Sequence, residues 1–251
     1  MTDIKRFATS GAAGLGAMLY KPSHAGKFAV PWFEPRYWMA QGAIVGEALG
    51  RGTTWIVQEG ERRLVLRHYR RGGLIARISP DRYVWRGEAA TRPFRELQLI
   101  DVLQDAGLPV PAPVAARYQR EGAFYRGDIL TEFLPDTGSL AQRLAASGVS
   151  LATWAAIGRC LRRFHDFGAC HADLNAHNIL LRGDEAVFLI DFDRGSLRRP
   201  GMWRDANLVR LRRSIEKLGD ERGQPFDEVT WHCLLSAYAQ SATRAPAETS
   251  F

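Results

Sequence analysis

The sequence predicts an α+β chain in two lobes, a β-rich N-terminal one over residues 1–135 and a mostly helical C-terminal one over 136–251. Three observations carry this. The β-branched and aromatic runs at 53–57, 64–66, 114–118 and 129–133 all precede Pro135. Apolar residues at helical spacing dominate after it. Between the two, Leu134-Pro135 marks the change of character and a hinge, and ligand sites favour such junctions.

Each element has its local signal. The runs 53–57 and 64–66 flank Glu59-Gly60-Glu61, a turn sequence, which predicts a hairpin. Thr91 and Pro93 open a helix whose apolar face is Phe94, Leu97, Ile100 and Leu103, and Gly107 stops it. Pro109, Pro111 and Pro113 then force an extended passage, followed by the strands 114–118 and 129–133. In the second lobe Leu151, Trp154, Ile157, Leu161 and Phe164 recur at helical spacing. Two short strands, 179–181 and 187–190, are joined by the turn sequence Arg182-Gly-Asp-Glu185. Amphipathic helices around 208–218 and 227–238 close the pattern.

Composition narrows the class of protein. At 251 residues, with 46% hydrophobic and 24% charged side chains, the chain has the make-up of a folded globular protein. Its 34 basic residues against 27 acidic give a net charge of +7, which suits nucleotide phosphates, nucleic acid or an anionic membrane without choosing among them. No nucleic-acid recognition motif stands out, and nucleic acid is not an expected partner. Cys160, Cys170 and Cys233 form no C-x-x-C pair and are odd in number, which fits a reducing compartment. Lys5 and Arg6 precede a weakly apolar stretch that ends near Ala25, but Gly11, Gly14 and Gly16 make it a poor export signal. The expectation is mature protein, neither exported nor spanning a membrane.

The chemistry concentrates in His171-Ala-Asp173-Leu-Asn175-Ala-His177-Asn178, followed by Ile190-Asp191-Phe192-Asp193. An Asp and an Asn five apart could cap ordinary turns. Together with His171, the strand pair and the Asp-Phe step, they resemble the catalytic and metal-binding loops of the protein-kinase-like superfamily. That resemblance implies a bilobal protein-kinase-like fold, with ATP and Mg2+ as cofactors. Asp173 would orient or accept the proton of the attacking hydroxyl, and His171 would stand with it in the catalytic loop. Asn178 and Asp191 would be the oxygen ligands of the metal.

The N-terminal lobe matches more loosely. Gly50 and Gly52 resemble a glycine-rich phosphate loop, although Trp55 replaces the third glycine and a tight turn explains the pair equally well. Arg67 stands where the superfamily carries a phosphate-binding lysine, and Glu96 is its candidate helix partner. Whether Arg67, Arg70 or Arg71 would meet phosphate is open. Asp193 replaces the glycine of Asp-Phe-Gly. His165, His171 and His177, six apart, do not share a helix face and lack a standard zinc spacing.

Further blocks sharpen the resemblance. Trp32-Phe-Glu-Pro35-Arg-Tyr-Trp38, Leu66-Arg67-His-Tyr-Arg70-Arg71-Gly-Gly73-Leu, Gly107-Leu-Pro-Val-Pro-Ala-Pro113 and Cys170-His171 onward look like the bacterial 3-deoxy-D-manno-octulosonic acid (Kdo) kinases, of the lipopolysaccharide kinase family. The likeness runs from about residue 9 to 240. It implies phosphorylation of Kdo, at its 4-hydroxyl, on the lipid A precursor, by a protein peripheral on the cytoplasmic face of the inner membrane of a Gram-negative bacterium. Eight basic residues against two acidic ones between Arg194 and Lys217 agree with an anionic glycolipid partner, as they do with a solvated helix. The alternatives are a core heptose kinase, another small-molecule phosphotransferase and a catalytically dead scaffold. Oligomeric state is not legible.

Overall fold

The computed structural model describes residues 3–11, 14–25, 29–48, 54–71, 80–146, 148–223 and 226–240. Gly50, Gly52, Thr53 and the Gly73-Leu74 step lie outside the described residues. Residues 1–105 with 111–134 form one compact unit, and residues 106–110 with 135–251 form a second.

The first unit is built on an antiparallel sheet, running β1 (Lys5–Gly11), β2 (Gly14–Tyr20), β3 (Ile44–Ala48), β4 (Thr54–Glu59), β5 (Arg62–His68), β6 (Tyr83–Val84), β7 (Pro113–Glu121) and β8 (Phe124–Glu132) along the chain. Spatial order is β1-β2-β7-β8-β5-β4-β3, with β6 on β8. Two short helices, α1 (Pro22–Ala25) and α2 (Pro35–Ala40), separate β2 from β3, and α3 (Arg92–Asp105) lies against β7 and β8. The expected hairpin forms as β4–β5, with Glu59 opposite Arg62 and Gly60 at φ +58° in its two-residue loop. Helix α3 buries Phe94, Leu97, Ile100 and Leu103, the face expected of it. It approaches β8 where Gly127 leaves room, since a Cβ there would stand 2.7 Å from Pro93 Cγ. The core joins Met18, Trp32, Phe33, Trp38, Val57, Leu64, Val114 and Leu130. Beside it Arg117 donates from Nε to Asp128 at 2.7 Å and from Nη1 to Glu34 at 2.5 Å.

One segment reads differently in three dimensions. The glycine-containing stretch before Tyr20 is the hairpin β1–β2, with Lys5 opposite Tyr20, and β2 continues the sheet onto β7. Gly16 is needed there, because a Cβ would meet the Tyr118 carbonyl at 2.4 Å.

The second unit is mainly helical: α4 (Leu140–Ala146), α5 (Leu151–Phe167), α6 (Trp203–Asp220) and α7 (Glu228–Gln240). Ser150 caps α5 by accepting from the Thr153 N–H, and Gly168 ends it in the left-handed conformation. Trp154, Ile157, Leu161 and Phe164 are buried as expected, whereas Leu151, in the first turn of α5, is exposed. Helices α5 and α7 meet closely at Gly158. Short strands β9 (Gly138–Ser139), β11 (Ile179–Arg182) and β12 (Ala186–Leu189) make one small sheet, and β10 (Ala169–Cys170) pairs with β13 (Ser196–Leu197). Residues 106–110 attach here through Leu189 N–H to Pro109 O at 3.0 Å and Arg163 Nη2 to Gly107 O at 2.8 Å.

Candidate active site

Gly168 turns the chain out of α5 into β10, and the eight residues that follow that strand fold back on themselves before β11. Leu174 and Ala176 are fully buried and anchor the loop, while Asp173, just before them, is exposed. Two side-chain amides converge on the Asp173 carbonyl: Asn175 Nδ2 at 3.0 Å and Asn178 Nδ2 at 2.9 Å. Asn175 Oδ1 accepts the His177 N–H at 2.8 Å, closing an Asx turn. The five-residue spacing from Asp173 to Asn178 thus has a physical cause, since the asparagine side chain reaches back to the aspartate's own backbone.

His171 is buried beneath this loop. Its Nδ1 accepts the Asp173 N–H at 3.2 Å, and its Nε2 lies 2.9 Å from the Ile190 carbonyl, to which it donates. Those two bonds select the neutral Nε2–H tautomer. Burial lowers the His171 pKa, outweighing the Ile190 carbonyl and the Asp191 and Asp173 charges, so the ring is neutral at pH 7. With both nitrogens engaged by backbone, His171 ties Asp173 to the strand end that carries Asp191. Its ring lies 4.7 Å from that of Phe192, which in turn stacks on Phe164 of α5.

Asn178 and Asp191 are brought together by the Ile190 N–H, which donates to the Asn178 carbonyl at 3.1 Å. Asp191 has φ +62°, a left-handed conformation that non-glycine residues rarely hold and that gathers at functional sites. With Asn178 Nδ2 spent on Asp173, its Oδ1 and the Asp191 carboxylate are oxygens that could hold a metal. Two hard oxygen ligands fit Mg2+ bound mostly by water and phosphate rather than by an all-protein cage. No group of three His, Cys, Asp or Glu suited to a metal occurs among the described residues.

Sequence reasoning missed the brace beneath the loop. Asn207 of α6 accepts the His171 N–H at 3.3 Å and donates to the His171 carbonyl at 2.9 Å, gripping the residue from both sides. Two turns further along α6, Ser214 Oγ accepts the Ala176 N–H at 3.1 Å. Their seven-residue spacing on a helix was a usable signal, but nothing in it names the partner loop.

In the first unit, Arg67 of β5 and Glu96 of α3 do pair, Nη2 to Oε1 at 2.5 Å. Tyr69 Oη donates to the other Glu96 oxygen at 2.5 Å, and the Arg67 guanidinium lies over the Tyr69 ring at 4.8 Å. Glu96 is buried and Arg67 partly exposed, so the carboxylate fixes the arginine in place. The next residue, His68, sits between Asp128 at 2.7 Å and Asp81 at 3.3 Å. Burial works against its charge, yet the two carboxylates prevail and raise its pKa.

An antiparallel sheet unit carrying a half-buried Arg–Glu pair, and a helical unit carrying the His-x-Asp-x-x-x-x-Asn loop beside an Asp-Phe step, define a protein-kinase-like phosphotransferase. The Lipopolysaccharide kinase (Kdo/WaaP) family profile matches residues 35–238, and the chain belongs to that family. It is 47% identical over 232 residues to a 3-deoxy-D-manno-octulosonic acid kinase of Stenotrophomonas maltophilia, covering 92% of each chain. A protein of that name from Photobacterium profundum is 42% identical over 206 residues, 82% of this chain and 87% of that one. Another, from Vibrio cholerae, is 43% identical over 189 residues, 75% and 80% of the two chains.

Proposed function

We propose that this chain transfers the γ-phosphoryl group of ATP to Kdo, at its 4-hydroxyl, on the lipid A precursor of lipopolysaccharide. The observation that carries the reading is the Asp173 loop, locked to Asn178 and His171 by its own hydrogen bonds, in a chain whose relatives over most of its length are named Kdo kinases.

Phosphoryl transfer needs little covalent chemistry from the protein; it needs the acceptor aimed and charge neutralised. Asp173, exposed at the crest of the loop, takes the acceptor hydroxyl as a hydrogen-bond donor and receives its proton as the bond to phosphorus forms. His171 keeps Asp173 in place through its N–H and does not itself exchange a proton. Asn178 and Asp191 would hold Mg2+, which would supply charge neutralisation for the nucleotide phosphates. By the family resemblance, Arg67, fixed by Glu96, would offer a guanidinium to phosphate, the part the superfamily gives to a lysine. The protein works at the cytoplasmic face of the inner membrane without crossing it; no described helix is long and apolar enough to span a bilayer.

The test is γ-phosphate transfer from Mg-ATP to three acceptors in parallel: Kdo-lipid A precursor, heptosylated core and an aminoglycoside. Label in the first alone supports the reading. Label in heptosylated core alone moves the acceptor to heptose, and label in none with ATP binding retained turns the reading to a scaffold.

A further inference from the structure

Resting on the reading that the acceptor is carried on a lipid, we propose that Phe167, Leu197 and Met202, flanked by Arg198 and Arg199, form a seat that enters the headgroup region of an anionic bilayer. The three apolar side chains are 41%, 49% and 87% exposed, although each belongs to a firmly held piece of backbone. Phe167 is the last residue of α5. The Gly168 carbonyl accepts the Arg198 N–H at 2.8 Å, and Ala169 stands opposite Leu197 in the β10–β13 pair, so the two segments lie side by side. A Cβ on Gly168 would stand 2.6 Å from the Arg198 carbonyl, so only glycine allows this approach. The following turn is pinned back by Trp203 Nε1 to Arg199 O at 2.7 Å, by Arg204 Nη2 to His165 O at 2.7 Å and by the edge-on contact of His165 with Trp203. Met202 therefore projects from a turn that is itself fixed.

Charge chooses the occupant. Arg194, Arg198 and Arg199 are exposed, and none pairs with a carboxylate among the described residues; Arg198 donates from its side chain to Ser196 Oγ. Of the acids near them in sequence, Asp166 is engaged by Arg162 and Arg204, while Asp205 is exposed in the first turn of α6. Exposed apolar side chains next to exposed arginines, Leu197 beside Arg198 and Met202 three residues after Arg199, suit a surface with an apolar interior and anionic headgroups, where both terms act together. Charge alone, which the basic run between residues 194 and 217 suggests, leaves the exposure of Met202 and Phe167 without a purpose.

Co-sedimentation of the full chain with vesicles of phosphatidylglycerol and phosphatidylethanolamine, without nucleotide or acceptor, tests the seat. Wild-type protein binds these vesicles and not phosphatidylcholine ones. The pair Leu197→Ser/Met202→Ser weakens binding by about tenfold. Arg198→Gln/Arg199→Gln weakens it by about 25-fold at low salt, roughly fivefold per arginine. The control pair Leu151→Ser/Val229→Ser, exposed residues at the first turns of α5 and α7, changes it less than about twofold and matches the seat variants in thermal midpoint. Absence of wild-type binding, equal binding to phosphatidylcholine, or an equal loss in the control pair overturns the proposal. Phosphate transfer to Kdo-lipid acceptor dispersed in detergent, unchanged by Leu197→Ser/Met202→Ser, separates the two readings. Transfer without vesicle binding removes the seat alone, and vesicle binding without transfer removes the acceptor assignment on which it rests.

Discussion

Asn207→Ala removes the grip of α6 on the catalytic loop. Asn207 and His171 are each 2% exposed, so truncation leaves the His171 N–H and C=O buried without the partners they have at 3.3 and 2.9 Å. Each orphaned buried group costs about 1–3 kcal/mol, which gives a loss of about 2–6 kcal/mol for the two. Against a typical stability of about 5–15 kcal/mol this is severe but survivable. Urea unfolding followed by far-ultraviolet circular dichroism measures it, with turnover recorded where both proteins are folded. Turnover falls as well, because Asp173 hangs from His171 through its N–H. Ser214→Ala, which frees one N–H, costs about 1 kcal/mol. A change under about 0.5 kcal/mol for Asn207→Ala, with turnover intact, refutes the reasoning.

Three further outcomes follow from particular contacts. Gly158→Ala places a Cβ 2.2 Å from the Leu234 carbonyl, so α7 must shift off α5 at a cost of about 3 kcal/mol, read by thermal unfolding; an unchanged midpoint contradicts the packing. Burial holds the His165 pKa down to about 4, whereas the unfolded chain titrates near 6.5, so between those values the unfolded state takes up a proton the folded state lacks. Stability therefore falls as pH drops through that window, by about 3 kcal/mol at pH 4, and His165→Gln lacks this component; equal pH slopes in unfolding titrations rule it out. Asp191→Ala weakens Mg-ATP binding by about tenfold or more in calorimetry, and unchanged affinity removes Asp191 from the metal site.

Much of this was legible because local chemistry and tertiary demand agree. The β4–β5 hairpin is written in Gly60 between two alternating runs, and α3 and α5 in apolar residues at helical spacing. Within the loop from His171 to Asn178 the bonds among its own residues are local, each spanning two to five residues, and these follow the spacing of the motif. The β1–β2 hairpin was not readable. Its glycines lower strand propensity, and what makes Gly16 right is the carbonyl of Tyr118, far along the chain. Leu151 fits the apolar repeat of α5, yet its place in the first turn leaves it exposed. Asn207 and Ser214 escaped notice for a related reason. Their partners in the loop are backbone groups, which carry no sequence identity.

The most direct measurement is turnover of labelled phosphate from Mg-ATP to Kdo-lipid A precursor, wild type against Asp173→Asn, with ATP affinity measured on the same samples. Amide for carboxylate keeps the loop's backbone bonds and removes the proton acceptor. Label is expected in the Kdo-lipid with wild type, a loss of roughly 10²–10⁴-fold in turnover with the variant, and nearly equal nucleotide affinity. Near-normal transfer by Asp173→Asn would contradict the account.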